Sequence, residues 1–507
     1  MQVVEIDGEN LTVAKFIAVS REHAKVKLAK KAEKRIADSR KVIEKIIASS
    51  ELAYGIKTGF GELCQVSIPQ EEILRLQENL VRSHACAVGA PLAEEIVRGV
   101  MLLRANTFAK GFSGVRLELV QLLIEMLNRN ITPVVYEQGS VGASGDLAPL
   151  AMVALAMIGE GEVIYKGERM RATEAFAREK LRPLKLEAKE GLALINGTSV
   201  MTSIAGFAVH ESEVLLKTAL IATMMSLEAL KGTNQAFRKE VSEVRKHTGQ
   251  KKCAEIFMRM LEKSEILESH KNCKKVQDAY TLRCAPQVLG AVWDTLDYVR
   301  KIVETEMNSV TDNPLILPEG KSLSCGNFHG EPVALAMDFL AIALTVMGNF
   351  SERRTARLVD MHLSGLPPFL TEKSGLNSGY MIPQYVAASL ASENKILAHP
   401  ASADTISTSA NQEDHVSMGT TAARKCLQIC RNVRHILAIE LLCAAQGLDF
   451  HKPLKPGIGV LKAWKLLRSH VPHLDEDRVL YPEIQKVADL IAKGEFVRVV
   501  EREIGKM

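Results

Sequence analysis

Apolar residues recur every three or four positions along most of this chain, and the spacing predicts helices over 70–87, 93–109 and 115–128. From about residue 200 the predicted helices lengthen, over 200–230, 285–307, 332–358, 385–397 and 416–446, with apolar side chains through most of each. Helices that long and apolar need other helices to cover them. A stretch rich in Lys and Arg over 24–47 also has helical periodicity, and its charges are expected to form a solvated face. The segment VVEIDGENLTV, 3–13, reads as a short β-hairpin around Asp7-Gly8. No repeat of about 20–50 residues is visible. The pattern predicts a mainly α protein: a smaller N-terminal globular region over 1–198, then an elongated multi-helix bundle over 199–507 with a subunit interface along it.

Composition narrows the classes of function. The 507 residues carry a net charge of +4, which argues against a nucleic-acid binder driven by phosphate neutralisation. Hydrophobic residues at 47% and charged residues at 24% are ordinary for a globular protein. The most apolar stretches singled out, 147–158 and 215–227, are too short or too interrupted for a membrane span of about 20 residues. The N-terminal stretch lacks a basic start followed by an apolar run, so no signal peptide is expected. The nine cysteines are odd in number, scattered and without a C-x-x-C, which points to free thiols in a reducing cytoplasm. Cys426 and Cys430, one helical turn apart, read as small apolar residues on a helix face. Neither paired C-x-x-C nor H-E-x-x-H occurs, and no metal site is expected.

One loop carries the informative chemistry: Gly139-Ser140-Val141-Gly142-Ala143-Ser144-Gly145-Asp146, followed by the apolar LAPLA. A phosphate-cradling loop needs a Lys that is absent here, and the G-x-x-G-x-x-G spacing is not that of a dinucleotide fingerprint. Asp146 stands where a hydrolase nucleophile elbow needs glycine. A plain glycine-rich turn opening a helix remains open, as does a chemical reading. In Ala143-Ser144-Gly145 the Gly145 nitrogen can attack the Ala143 carbonyl, and small flanking residues allow the tight fold-back. Loss of two waters, one from the Ser144 hydroxyl, leaves an electrophilic ring with an exocyclic methylene, methylidene-imidazolone (MIO).

With this loop the chain resembles the MIO-dependent ammonia-lyase and aminomutase family, and further segments agree in order. Tyr54-Gly55-Ile56-Lys57-Thr58-Gly59-Phe60-Gly61 resembles the family's mobile inner loop. Ser83-His84-Ala85 resembles a pocket helix, Leu194-Ile195-Asn196-Gly197-Thr198 the LxNGT motif, and Gln277-Asp278-Ala279-Tyr280-Thr281-Leu282-Arg283-Cys284 the QDxYxLRC motif. The segments NSVTDNP (308–314), GNFHGEP (326–332) and SANQEDHVSMG (409–419) complete the likeness, which runs the length of the chain.

The resemblance implies a fumarase/aspartase-like architecture and a role for each matching residue. Ala143, Ser144 and Gly145 form the MIO electrophile, with no external coenzyme. Such an electrophile bonds to the substrate amine, a poor leaving group, and improves it. Asn196 hydrogen-bonds the MIO oxygen. Tyr54 acts as the base, for which its pKa must fall from about 10. Tyr280 is a second active-site tyrosine, and the sequence leaves open which of the two does what. Arg283 holds the substrate carboxylate through its planar guanidinium. Gln277 is a polar pocket residue, and Phe328 packs near the MIO ring. Gly55, Gly59 and Gly61 let the Tyr54 loop close over the substrate and exclude water.

Substrate choice rests on a few side chains. Glu413, in QEDHVSMG, resembles the form of histidine-acting members, where aromatic-acting members more often carry Gln. A carboxylate accepts from an imidazole N–H and favours its cation, while a phenyl ring offers it nothing. Met381 and Glu331 also follow the histidine-type pattern, while His84 resembles the pocket histidine of both histidine and tyrosine enzymes, against the apolar residue of phenylalanine enzymes. Lys57, Ser199 and Ala279 depart from it, and segments 196–202 and 337–345 look somewhat like tyrosine aminomutases. The expected reaction is non-oxidative deamination of L-histidine to trans-urocanate and ammonia, the first step of histidine degradation. A tyrosine or phenylalanine ammonia-lyase or an aromatic 2,3-aminomutase is the alternative. The resemblance also implies a homotetramer whose active sites draw on three subunits. The expected partner is a small-molecule amino acid, with neither nucleic acid nor membrane.

Overall fold

The computed structural model describes residues 2–49, 55–59, 61–66, 68–272 and 276–507. Among them are twenty-one α-helices and only short strands, so the protein is mainly α, as the periodicity predicts. The longest helices, Ser199–Ala229, Ala285–Met307, Glu331–Val359 and Gly419–Asp449, match the expected long segments to within about three residues. The chain divides into two compact units: 1–210 with 300–338 and 400–424, and 211–299 with 339–399 and 425–507.

The N-terminal hairpin is not formed. Val3–Ile6 pairs in parallel with Lys25–Leu28, in register Val3 to Lys25. Parallel strands need a crossover, usually a helix, and Val13–Ser20 supplies it. Thr12 caps that helix, its hydroxyl accepting from the Lys15 amide at 3.3 Å. The basic helix consequently starts at Lys30 rather than 24, because 25–28 is strand. Its Lys and Arg are mostly exposed, but Arg40 is buried.

The first unit is organised around Glu94–Phe108, a helix buried along nearly its whole length. Its polar residues are used inside the protein. Arg98 donates to the Ser20, Val19 and Leu127 carbonyls at 3.1, 2.9 and 3.1 Å, closing the C-terminal ends of two neighbouring helices. Asn106 accepts from the Gly8 amide and donates to the Met307 carbonyl, both at 2.9 Å. Small sheets edge this unit, including the antiparallel Ile131–Pro133, Glu162–Tyr165 and Glu168–Arg171.

The second unit is helical among its described residues. At its centre Glu440 is fully buried and takes four donors: Arg354 Nε and Nη2 at 2.6 and 2.8 Å, Ser226 Oγ at 2.7 Å and Ser351 Oγ at 2.6 Å. A buried ion pair tolerates desolvation only when its remaining hydrogen-bonding capacity is met in this way. Glu331–Val359 is long and apolar enough to cross a membrane, a segment the reading of apolar stretches did not single out. However, 67% of its apolar window is buried inside the protein, as in a core helix.

Candidate active site

The glycine-rich loop is clamped backbone to backbone against the turn that follows helix Glu190–Ile195. The Gly197 amide donates to the Ser144 carbonyl at 3.0 Å, and the Asp146 amide donates to the Gly197 carbonyl at 2.8 Å. Gly145 and Gly197 both have positive φ, +73° and +120°. A Cβ on Gly145 would stand 2.1 Å from the Gly197 carbonyl carbon, so only glycine permits the approach.

Asp146 anchors the same loop from below. It is fully buried, and one carboxylate oxygen accepts from the Val200 and Met201 amides, both at 2.9 Å, at the start of Ser199–Ala229. A carboxylate there meets unpaired amides and the positive end of the helix dipole. The other oxygen accepts from Ser140 Oγ at 2.9 Å and from the Thr420 hydroxyl. Burial raises the Asp146 pKa, and these donors oppose the rise. The Ala143-Ser144-Gly145 segment fits the cyclised group: it is tightly folded, glycine stands where a side chain has no room, and a donor already faces the Ser144 carbonyl.

A cavity of about 720 Å³ opens on Ser144. Leu63, Val66, Ile68, Leu76, Leu147, Leu192 and Ile195 give it an apolar wall, and His84, Ser144, Asn196 and Glu413 supply polar groups. Ser144 Oγ donates to Glu413 Oε1 at 3.4 Å. The second Glu413 oxygen accepts from Thr408 Oγ1 at 2.6 Å, and the two residues also exchange backbone hydrogen bonds at 3.0 and 3.3 Å. Between them Ser409, Ala410 and Asn411 all have positive φ, 50°, 51° and 69°, so the loop that presents Glu413 is strained.

His84 ends helix Ile73–His84, and its Nδ1–H donates to the Leu80 carbonyl at 2.9 Å. The neutral ring therefore keeps Nε2 as an acceptor. Burial lowers the His84 pKa, against the Leu80 carbonyl and the Glu413 charge. Asn196 caps its short helix, and its Nδ2 donates to Asp312 Oδ1 at 3.2 Å and the Asn313 carbonyl at 3.0 Å. Asp312 in turn holds Lys189 Nζ at 3.0 Å, with both side chains fully buried. Half-buried Phe328 lines a second cavity of about 610 Å³ that also borders Ala143 and Ser144.

Tyr54 lies outside the described residues. The neighbouring part of its loop packs on the Glu413 loop: the Glu62 amide donates to Ser409 Oγ at 3.3 Å, and a Cβ on Gly61 would stand 2.6 Å from that oxygen. Gln277, Tyr280 and Arg283 belong to the second unit, where they form a cluster of their own. Arg283 donates to Gln277 Oε1, and its guanidinium lies 4.9 Å above the Tyr280 ring. Tyr280 is 70% exposed. Met381 opens helix Met381–Leu397 in the same unit and is half-buried.

Three functional features escaped the sequence reading. The donor at the Ser144 carbonyl is a backbone amide, which no residue type announces. Thr408 sits five residues from Glu413 and is brought to it only by the left-handed turn. Asp312 and Lys189 meet from distant segments, although Asp312 stands in a quoted motif. His329, Glu331 and His415 also place potential metal-ligand atoms within 4.8 Å of one another. However, the two imidazoles are stacked, 7° from parallel with centroids 5.5 Å apart. Ligation of one ion in the plane of both rings would require them to turn from this stack.

The sequence profile of aromatic amino acid lyases matches residues 11–469. The chain belongs to the aromatic amino acid lyase family. Within that family it is 52% identical over 505 residues to the histidine ammonia-lyase of Alkaliphilus oremlandii (strain OhILAs), covering 99% of each chain. It is 50% identical over 500 residues to that of Treponema denticola, covering 98% of each. Among solved structures of the family, it matches the Trypanosoma cruzi histidine ammonia-lyase with a TM-score of 0.92 at 42% identity, covering 99% of this chain and 96% of that one. A tyrosine aminomutase from Streptomyces globisporus matches with a TM-score of 0.93 at 37% identity, covering 99% and 98%. Fold alone therefore does not separate histidine from tyrosine chemistry, and the side chains around Ser144 must.

Proposed function

We propose that the protein is a histidine ammonia-lyase, converting L-histidine to trans-urocanate and ammonia without a redox change. The observation that carries this reading is Glu413: a carboxylate fixed by Thr408 and aimed at Ser144 in a cavity that also holds His84. An imidazole side chain has two nitrogens to satisfy. Glu413 accepts from one N–H and stabilises the ring's positive charge, and neutral His84 offers Nε2 to the other. The apolar wall holds the ring and keeps water from the reacting carbons. Identity of about half, end to end, with curated histidine ammonia-lyases supports the same substrate.

The proton to be removed sits on a weakly acidic β-carbon, and the amine is a poor leaving group. Once formed from Ala143, Ser144 and Gly145, the MIO group supplies an electrophile that bonds the amine and improves its departure. The Gly197 amide is the preorganised donor at the Ser144 carbonyl. Asn196 is held beside it by Asp312 and Asn313. Arg283, oriented by Gln277 and Tyr280, binds the substrate carboxylate. Tyr54 takes the β-proton.

The working form is a homotetramer. Phe339, Ile342 and Val346 lie on one stripe of Glu331–Val359, 42–56% exposed, and Tyr385 is 59% exposed on Met381–Leu397. Aligned apolar exposure of this kind marks an interface. The exposed Tyr280 needs the cover that neighbouring subunits provide. Cysteines that are free, among them Cys86, Cys325 and Cys443, support a reducing cytoplasmic setting.

Assay of the purified protein against L-histidine, L-tyrosine and L-phenylalanine tests the reading. Urocanate from histidine is expected. Coumarate, cinnamate or a β-amino acid, without urocanate, would overturn it.

A further inference from the structure

Arg104 is a buried cation without an ion-pair partner among the described residues. It lies in helix Glu94–Phe108 and is 1% exposed. Nη2 donates to the Ala193 carbonyl, Nη1 reaches Ser199 Oγ at a long 3.5 Å, and Nε has no hydrogen-bond partner. The guanidinium lies 4.8 Å above the Phe108 ring. Other deeply buried cations in the protein are better matched. Lys189 has Asp312, Arg354 has Glu440, and Arg98 has three helix-end carbonyls. Among the described residues no carboxylate comes within ion-pair distance of Arg104. Burying a cation in this way is costly and calls for a compensating use.

Its position supplies that use. Arg104 Nη1 stands 2.7 Å from where a Cβ on Gly197 would be, against the residue whose amide donates to the Ser144 carbonyl. Ring closure at 143–145 requires two dehydrations. In the first, the Gly145 nitrogen bonds to the Ala143 carbonyl carbon, the Ser144 nitrogen forms a double bond to that carbon, and the carbonyl oxygen leaves as water with the hydrogens of those two amides. In the second, the Ser144 Cα–H bond breaks and its electron pair becomes the Cα–Cβ double bond. The Cβ–O bond breaks as well, and hydroxide leaves with the proton as water. Nothing is oxidised or reduced. The second dehydration builds negative charge beside the Ser144 carbonyl, and that charge spreads onto its oxygen.

We propose that Arg104 is a positioning residue for the dehydration of Ser144: it holds the Asn196-Gly197-Thr198 turn against the loop and places positive charge near the Ser144 carbonyl. In a water-poor interior such preorganised charge acts strongly. Burial pulls the guanidinium down to about 10, with Asp312 and Asp146 opposing, so it stays protonated at neutral pH. The proposal rests on the cyclisation proposed above.

Intact-mass measurement of wild type, R104K, R104Q and R104M separates the two ideas. Only soluble chain that elutes at wild-type size and keeps the wild-type circular dichroism spectrum is analysed. Wild type and R104K are expected to lose both waters. R104Q, which can still donate to the Ala193 carbonyl, and R104M are expected to accumulate chains that retain the Ser144 water, with the second loss slowed roughly a hundredfold. Complete loss of both waters in R104Q at the wild-type rate overturns the role of Arg104 and leaves cyclisation standing. Equal failure of R104K and R104Q shows that geometry, not charge, matters, and overturns the charge role while keeping the positioning of the turn. Wild type without the double loss overturns the cyclisation reading and this proposal with it.

Discussion

Ser144 and Glu413 face one another across the cavity, the serine hydroxyl donating to Oε1 of the glutamate at 3.4 Å. They are 269 residues apart in the chain and are joined by two loops that share a contact. Met418 donates its amide to the Val141 carbonyl at 2.9 Å. The group proposed to become electrophilic and the group proposed to read the substrate's side chain are thus built on one another, so replacing either tests a different part of the proposed reaction.

Glu413→Gln keeps the shape and removes the charge. A charge-assisted hydrogen bond contributes about 1.5–3 kcal/mol, so kcat/KM for histidine is expected to fall roughly tenfold to a hundredfold. Steady-state urocanate formation measures it. An unchanged rate would remove the main argument for histidine.

Thr408→Val leaves Glu413 in place without its fixed partner. A neutral hydrogen bond contributes about 0.5–1.5 kcal/mol net, and the expected effect is a rise of roughly twofold to tenfold in KM for histidine. The loss of two waters from the 143–145 segment should be unaffected, because Thr408 bonds to Glu413 and not to that segment. An altered water loss with KM unmoved would contradict the assignment.

Ser144→Ala removes the hydroxyl that leaves as water. Intact mass should show that the second water loss is gone, and turnover should fall by several orders of magnitude with the fold retained. Near-normal turnover would refute the electrophile.

Glu228 offers a test of stability rather than catalysis. It is fully buried in the second unit, its carboxylate accepting from the Gly457 amide at 3.0 Å and from the Ser264 hydroxyl. Burial pushes its pKa up to about 7, against these donors, from an ordinary 4.5. Between those values the folded chain binds a proton that the unfolded chain releases. Its stabilising contribution is therefore fully present below about pH 4.5 and is lost as pH rises through about 7. The loss amounts to up to about 3 kcal/mol. Melting curves from pH 4.5 to 8 should show this decline in wild type and a flatter profile in Glu228→Gln. Parallel profiles would rule it out.

The long helices were legible because their apolar periodicity is continuous, and the 139–146 loop because its chemistry needs small residues in a fixed order. The parallel pairing of Val3 with Lys25 was not, because Asp7-Gly8 is a sound local turn signal and only the packed crossover helix overrides it. Glu413 could be picked out from its motif, but Thr408 could not, since three consecutive left-handed residues bring the two together. Arg104 stood in plain view as a charge within an apolar helical run. Nothing local distinguishes it from Arg98 six residues earlier, whose partners are helix ends.

The anchoring of Asp146 has a consequence for how the chain matures. Its carboxylate is satisfied by amides at 200 and 201 and by hydroxyls at 140 and 420, so the loop takes its shape only after three distant stretches have assembled. A nascent or misassembled chain holds the same Ala-Ser-Gly tripeptide but not its geometry, and stays chemically inert. The modification proposed for residues 143–145 would then serve as a covalent record that a given molecule has folded correctly, written once and legible afterwards by its missing mass.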